Sequence, residues 1–148
     1  RSGDASEEVQ ARVIDTLIDL CLKYRLSKTE TAYVLATAAT ESGFNPDAAA
    51  GTTSASGLGQ FVKDTGIKYG LTTNAERFDI EKGGNALVQH SIENISRAKD
   101  RGYSGDAIIT MAYKYHHDGP SGEYGGLTVA KDQVLPRYKL YMENFNYE

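Results

Sequence analysis

The sequence predicts an all-α, or nearly all-α, domain with a substrate cleft, and three observations carry that expectation. Apolar residues recur at spacings of three and four through most of the chain, which gathers them on one face of a helix. Start signals of the form Ser-x-x-Glu and a stop signal, Gly43-Phe44-Asn45-Pro46, bracket the clearest of these runs. No stretch alternates apolar and polar residues long enough to make a half-buried strand, and Leu127 to Ala130 is too short to count as one.

The first helix opens after Asp4, with Glu7 as its capping partner. It carries Val9, Val13, Leu17, Leu20 and Tyr24, with Ile14, Ile18 and Cys21 widening the apolar face. The second opens on the capping box Ser27 and Glu30 and runs through Ala32, Leu35, Ala36 and Ala39, small residues suited to close packing in a bundle. Gly43 and Pro46 end it. Residues 44–57 hold Gly, Ser, Thr, Asn and Ala without a period and read as an ordered loop, followed by a shorter helix from Leu58 to Lys68. Asp79 caps a long helix through Gly84, Leu87, Ser91, Ile92 and Ile95. Another spans about Asp106 to Tyr115, apolar at Ile108, Ile109, Met111 and Ala112. The glycine-rich stretch from Gly119 to Gly126 is a loop, and a last helix carries Val134, Tyr138 and Tyr141, interrupted or started by Pro136.

With no repeat, low-complexity tract or linker, the 148 residues read as one domain over 1–148, residues 1–4 being a terminal tail. Hydrophobic residues at 40% and charged residues at 24% exclude a disordered or collagen-like chain. No apolar run approaches the roughly 18 residues of a membrane span. A net charge of −4 and a pI near 5.4 argue against nucleic acid or an anionic membrane as partner. The single cysteine, Cys21, excludes an internal disulfide, and three histidines argue against a tetrahedral Cys/His zinc set. No cofactor is expected. No signal peptide is visible, and Arg1 to Asp4 reads as the cut end of a longer chain.

Glu41 stands out on physical grounds. It follows Thr31 to Thr40, a stretch without charge, as a helix entering a core would be, and it lies in that helix's last turn. Burial and the negative end of the helix dipole both push a carboxyl pKa upward, which suits a general acid near neutral pH. Taken alone, the position is more often that of a C-terminal Glu that merely points to water.

The surrounding residues favour the catalytic reading. Glu41-Ser42-Gly43-Phe44-Asn45-Pro46 resembles the E-S-x-F-x-P segment of soluble lytic transglycosylases, which holds the catalytic acid. Ser54-Ala55-Ser56-Gly57-Leu58-Gly59-Gln60-Phe61 resembles their A-x-G-L-x-Q segment, which lines the sugar cleft, and Gln60 follows Glu41 by 19 residues. Tyr113-Lys114-Tyr115-His116-His117-Asp118-Gly119-Pro120 is similar to the Y-x-x-H-x-x-G-P segment of phage-type members. The last helix, Val129 to Tyr141, resembles the family's closing V-x-x-V-x-x-Y helix. Each motif alone is weak, but their order and spacing are specific.

The resemblance implies a lysozyme-like domain that cleaves the MurNAc–GlcNAc β-1,4 bond of peptidoglycan glycan strands. Glu41 would be its one catalytic residue and the product a 1,6-anhydro sugar. It further implies substrate-binding roles for Ser42, Ser54, Gly57, Leu58, Gln60, Tyr113 and His116, with Tyr113 hydrogen-bonding Glu41. The glycines would let backbone approach the sugar, and Gln60 would offer both a donor and an acceptor. It points to action in the periplasm or cell wall, as part of a longer phage or secretion-associated protein. A hydrolytic muramidase of the same fold and a glycan-binding domain without catalysis are the alternatives.

The chain also departs from the pattern. Gly59 stands where the family has Met, which predicts looser packing beneath the loop. Lys114 replaces the Asn of the commoner A-Y-N segment. His116, His117 and Asp118 are adjacent at a helix end, where side chains rarely converge on one ion, so no metal is expected. Glu93 on the long helix reads as a solvated Glu. Goose-type lysozymes, relatives of this fold, carry an Asp two residues after the motif Gln; here that position is Val62. Asp64 should point away from Val62's direction, while Asp47, just past the helix end, and Asp118, beside the Tyr113 helix, are the carboxylates that could reach the cleft.

Overall fold

The computed structural model describes residues 4–144. The first three residues of the tail expected at 1–4 lie outside them. Helix α1 (Glu7–Lys23) starts at Ser6, not Asp4: the Ser6 Oγ accepts the Val9 N–H at 3.2 Å, so the shorter side chain nearer the first turn makes the cap. Helix α2 (Lys28–Ser42) opens as expected. The Ser27 N–H donates to Glu30 Oε1 at 2.8 Å and the Glu30 N–H to Ser27 Oγ at 3.1 Å, two orphan donors satisfied reciprocally.

The helix expected over Leu58–Lys68 is shorter, α3 (Lys63–Lys68), because residues 57–60 form a turn closed by the Gln60 N–H on the Gly57 carbonyl. Helix α4 (Asn74–Arg77) was not expected; a single turn carries no apolar period, and only Thr73 capping Glu76 marks it. The Glu76 carboxylate gathers Thr72 Oγ1 at 2.6 Å and Lys82 Nζ at 3.2 Å. The Thr72 hydrogen bond chiefly holds its pKa at about 2. Helix α5 (Ile80–Asp100) begins at Asp79, whose Oδ2 takes the Lys82 N–H at 2.7 Å.

Helix α6 (Asp106–Asp118) runs three residues beyond the expected end before Gly119 stops it. The chain becomes helical again at Gly126, earlier than expected: α7 (Gly126–Val129), a π-helical turn over Ala130–Val134 and α8 (Leu135–Asn144) follow without a break. Pro136 explains the wide turn. It has no N–H to give Asp132, and its ring would crowd that carbonyl. The Leu135 N–H reaches back five residues to the Ala130 carbonyl instead. Among the described residues the only β pairing is two isolated bridges, Ala49 with Ser56 and Ser56 with Phe61, so the chain is all-α.

The residues divide into two compact units. One comprises the chain up to Arg25 with Ala38–Gln89, the other Leu26–Thr37 with the chain from His90 onward. In the first, Gly84 brings α5 against α1, since a Cβ there would stand 3.0 Å from Leu20 and 3.2 Å from Leu17. The Tyr24 hydroxyl donates to Asn85 Oδ1 at 2.5 Å and accepts from Gln89 at 3.1 Å, tying the end of α1 to the same helix. The second unit has a core of Tyr33 and Ala36 from α2, Ile95 from α5, Ile109, Ala112 and Tyr113 from α6, and Ala130 and Val134 from the π turn. Val129, Leu135, Tyr138 and Tyr141 pack against it.

Candidate active site

Every residue from Thr31 to Ala39 is buried, as the uncharged stretch predicts. Glu41 is the first charged residue after it and is half-buried in the last turn of α2. Beyond it the chain turns sharply: Gly43 (φ 61°) and Phe44 (φ 58°) both take the left-handed conformation. For Phe44 that costs about 1–2 kcal/mol, which burial of its ring offsets. The Asn45 Oδ1 then accepts the Asp47 N–H at 3.0 Å, fixing the turn in which Pro46 sits. The Ser42 hydroxyl is fully buried and donates to the Ala38 carbonyl at 3.0 Å, so it is spent within its own helix.

The second motif folds as a small closed loop in the same unit as Glu41. Gln60, another non-glycine residue with positive φ (52°), turns its amide inward. Its Nε2 donates to the Ala48 carbonyl at 2.9 Å and to the Gly57 carbonyl at 2.8 Å. Both of its donors hold the loop together. Gly57 (φ 78°) must be glycine, because a Cβ there would run into the Arg77 carbonyl oxygen. Arg77 in turn donates to the carbonyls of Ser54 and Phe61. Ser54 Oγ accepts the Lys63 N–H at 2.9 Å, while the Leu58 side chain, 1% exposed, lies in the core. The loosening expected at Gly59 is not found. A Cβ there would meet the Phe61 ring at 2.8 Å and Leu87 at 3.4 Å, so the aromatic ring fills the space.

Comparison with protein families bears on this pair of motifs. A family model described as the transglycosylase SLT domain matches residues 23–101, more than half of the chain, and its span contains both. The chain belongs to the SLT transglycosylase family. No curated protein and no solved structure matches it. This SLT domain thus has a transglycosylase-type, peptidoglycan-directed role in general terms, and its substrate lies in the periplasm or cell wall. No described helix is long and apolar enough to cross a membrane.

The third motif lies beyond the matched span, on α6 in the second unit. Tyr113 is 1% exposed, a member of that unit's core, with its ring stacked on His116 at 5.8 Å between centroids. His116 is half-buried, and its Nδ1 stands 3.2 Å from Nδ1 of His90 on α5. In a hydrogen bond between them one of these nitrogens carries the proton and the other accepts it. Sequence reasoning passed over His90, which has no motif around it; only the helical registers of α5 and α6 bring it to His116.

Asp118 is engaged inside its unit. Its side chain is 1% exposed, bonded to His117 Nδ1 at 2.5 Å and to the Gly126 N–H at 3.1 Å. Burial pushes its pKa upward. The His117 bond and the backbone N–H groups of Tyr124 and Gly126 outweigh that and hold it below the ordinary value. Lys114, in place of the expected Asn, donates to the Gly122 carbonyl at 2.5 Å and pairs with Glu123 at 3.3 Å. Glu93 pairs with Arg97 at 3.4 Å along α5. Among the described residues no three His, Cys, Asp or Glu side chains gather as a metal site.

Proposed function

We propose that the chain, acting as one catalytic domain, cleaves the MurNAc–GlcNAc β-1,4 bond of peptidoglycan with Glu41 as its single catalytic residue. The observation that carries the proposal is Glu41 itself: a half-buried carboxyl at the end of a buried helix, within the family span and just before a left-handed turn. Glu41 protonates the glycosidic oxygen as the bond to the MurNAc C1 breaks. Its carboxylate then removes the proton of the same sugar's 6-hydroxyl as that oxygen bonds to C1, closing a 1,6-anhydro ring. The 2-acetamido group assists at C1. One carboxyl thus serves as acid and then base.

Val62 favours this course over hydrolysis. A hydrolase needs a second carboxyl about 5–5.5 Å away as nucleophile, or about 6.5–9.5 Å away as the base for water. Position 62 is an apolar residue, 44% exposed, and the Asp118 carboxylate is committed to His117, Tyr124 and Gly126. A binding module would have no use for an acid at position 41. Substrate contacts are assigned to Gln60 through its Oε1, to Ser54, to backbone at Ser42, Gly57 and Leu58, and to Tyr113 and His116 in the second unit. Delivery by phage or secretion machinery within a longer protein completes the reading.

The test is mass spectrometry of purified sacculi digested with the protein and with Glu41→Gln. Anhydro-muropeptides should dominate the wild-type digest, and the folded variant should lose about 100- to 10,000-fold in rate, the usual worth of a general acid. Mainly reducing-end MurNAc would reject the single-residue mechanism, and clearance by Glu41→Gln at the wild-type rate would reject Glu41.

A further inference from the structure

The loop from Gly119 to Gly125 has no part in the mechanism above, yet charged side chains hold it at three of its residues and at Gly126, where the next helix begins. Arg101 Nη1 donates to the Pro120 carbonyl at 2.8 Å. Lys114 Nζ, its side chain 9% exposed, donates to the Gly122 carbonyl. The Asp118 carboxylate accepts the backbone N–H of Tyr124 and that of Gly126. Burying Lys114 and Asp118 is costly, and these bonds, with the 3.8 Å approach of Lys114 Nζ to Asp118 Oδ2, offset that cost in a defined loop structure. What that structure presents is Tyr124, 76% exposed, the most exposed of the chain's large apolar side chains among the described residues.

A single exposed tyrosine needs no explanation by itself. This one is built in. At Gly122 a Cβ would stand 2.8 Å from Tyr124 Cε2 and would collide with the Asp118 carbonyl, so glycine lets the ring lie against the loop backbone. One edge of the ring therefore lies beside the Gly122 backbone and the residue's backbone N–H is held by Asp118, while most of the side chain faces solvent.

We propose that Tyr124 is a stacking platform for a sugar ring of the glycan strand. The apolar C–H face of a pyranose fits an exposed aromatic ring, and a tyrosine, with only two side-chain torsions, loses little conformational freedom on binding. Lys114 then has its explanation: in place of an amide facing substrate, the chain has a cation that anchors the platform's loop. The inference rests on the peptidoglycan reading but not on the role of Glu41.

Binding is measured by co-sedimentation with intact sacculi on ice, comparing Glu41→Gln with Glu41→Gln/Tyr124→Ala. The expected loss is roughly tenfold in affinity, with Tyr124→Phe and Tyr124→Trp staying within about twofold of the parent, because stacking uses the ring and not the hydroxyl. In the active protein Tyr124→Ala raises KM and leaves kcat unchanged, and its melting temperature should match the parent, since the side chain is exposed. Equal sedimentation of the Ala variant, or a loss shared in full by Tyr124→Phe, overturns the platform. If the wild-type protein releases no muropeptides at all, it is the peptidoglycan reading that falls.

Discussion

At Tyr113 the ring and the hydroxyl can be separated by a single substitution. The ring is part of the second unit's core and stacks on His116, so Tyr113→Phe keeps the packing and should leave the melting temperature nearly unchanged. If the hydroxyl serves substrate as proposed, kcat on sacculi should fall roughly 3- to 10-fold, the worth of one hydrogen bond. An unchanged rate would leave Tyr113 a core residue only. The same separation of roles limits what a motif discloses. Within the family-like segments the Ser42 hydroxyl bonds its own helix, the Leu58 side chain is buried and both Gln60 donors close a loop. The residue types were legible in the sequence, but which of their atoms face inward depends on a positive φ at Gln60 and on the Arg77 carbonyl behind Gly57. His90 was illegible for the same reason, since its contact with His116 crosses 26 positions.

Among the elements, α2 was readable almost to the residue because its information is local: a capping box, an uncharged interior and a glycine stop. Helix α3 lost its expected first turn to the hydrogen bonds of Gln60, and α4 is too short to show a period. The run from Gly126 to Asn144 needed the i to i−5 bond of Leu135 to reconcile Pro136 with a continuous helix. The loop before it depends on a charge, and that makes a prediction. The Asp118 pKa is held below its ordinary 3.8, so its contribution is complete above that value and is lost as pH falls through the lower folded value. Asp118→Asn should cost roughly 1–3 kcal/mol near neutral pH, where charge-assisted bonds are lost. Urea midpoints measured at pH 6 and pH 3 should show the gap between the two proteins narrowing at pH 3. A gap that stays constant would mean that the charge of Asp118 contributes nothing to the loop.

On the scale of the whole molecule, the all-α class followed from helical periodicity and the lack of alternating segments. The division into two compact units did not, because α2 and α5 each pass from one unit to the other within a continuous helix that marks no boundary. Net charge belongs to this scale as well, and it bears on how the enzyme meets its polymer. Sixteen basic against twenty acidic residues leave the chain at −4. Toward a polymer of net negative charge a chain of this charge is repelled at long range, and association then comes from short-range contacts such as hydrogen bonds and stacking. Salt screens the repulsion: the Debye length falls from about 30 Å at 0.01 M to about 8 Å at 0.15 M. KM for sacculi should accordingly stay level or fall by about twofold over that range, with kcat unchanged, because the chemistry proposed at Glu41 is local. Initial rates of turbidity loss at the two ionic strengths measure this directly. A KM that rises steeply with salt would mean that a local basic surface, rather than sugar contacts, holds the enzyme on the wall.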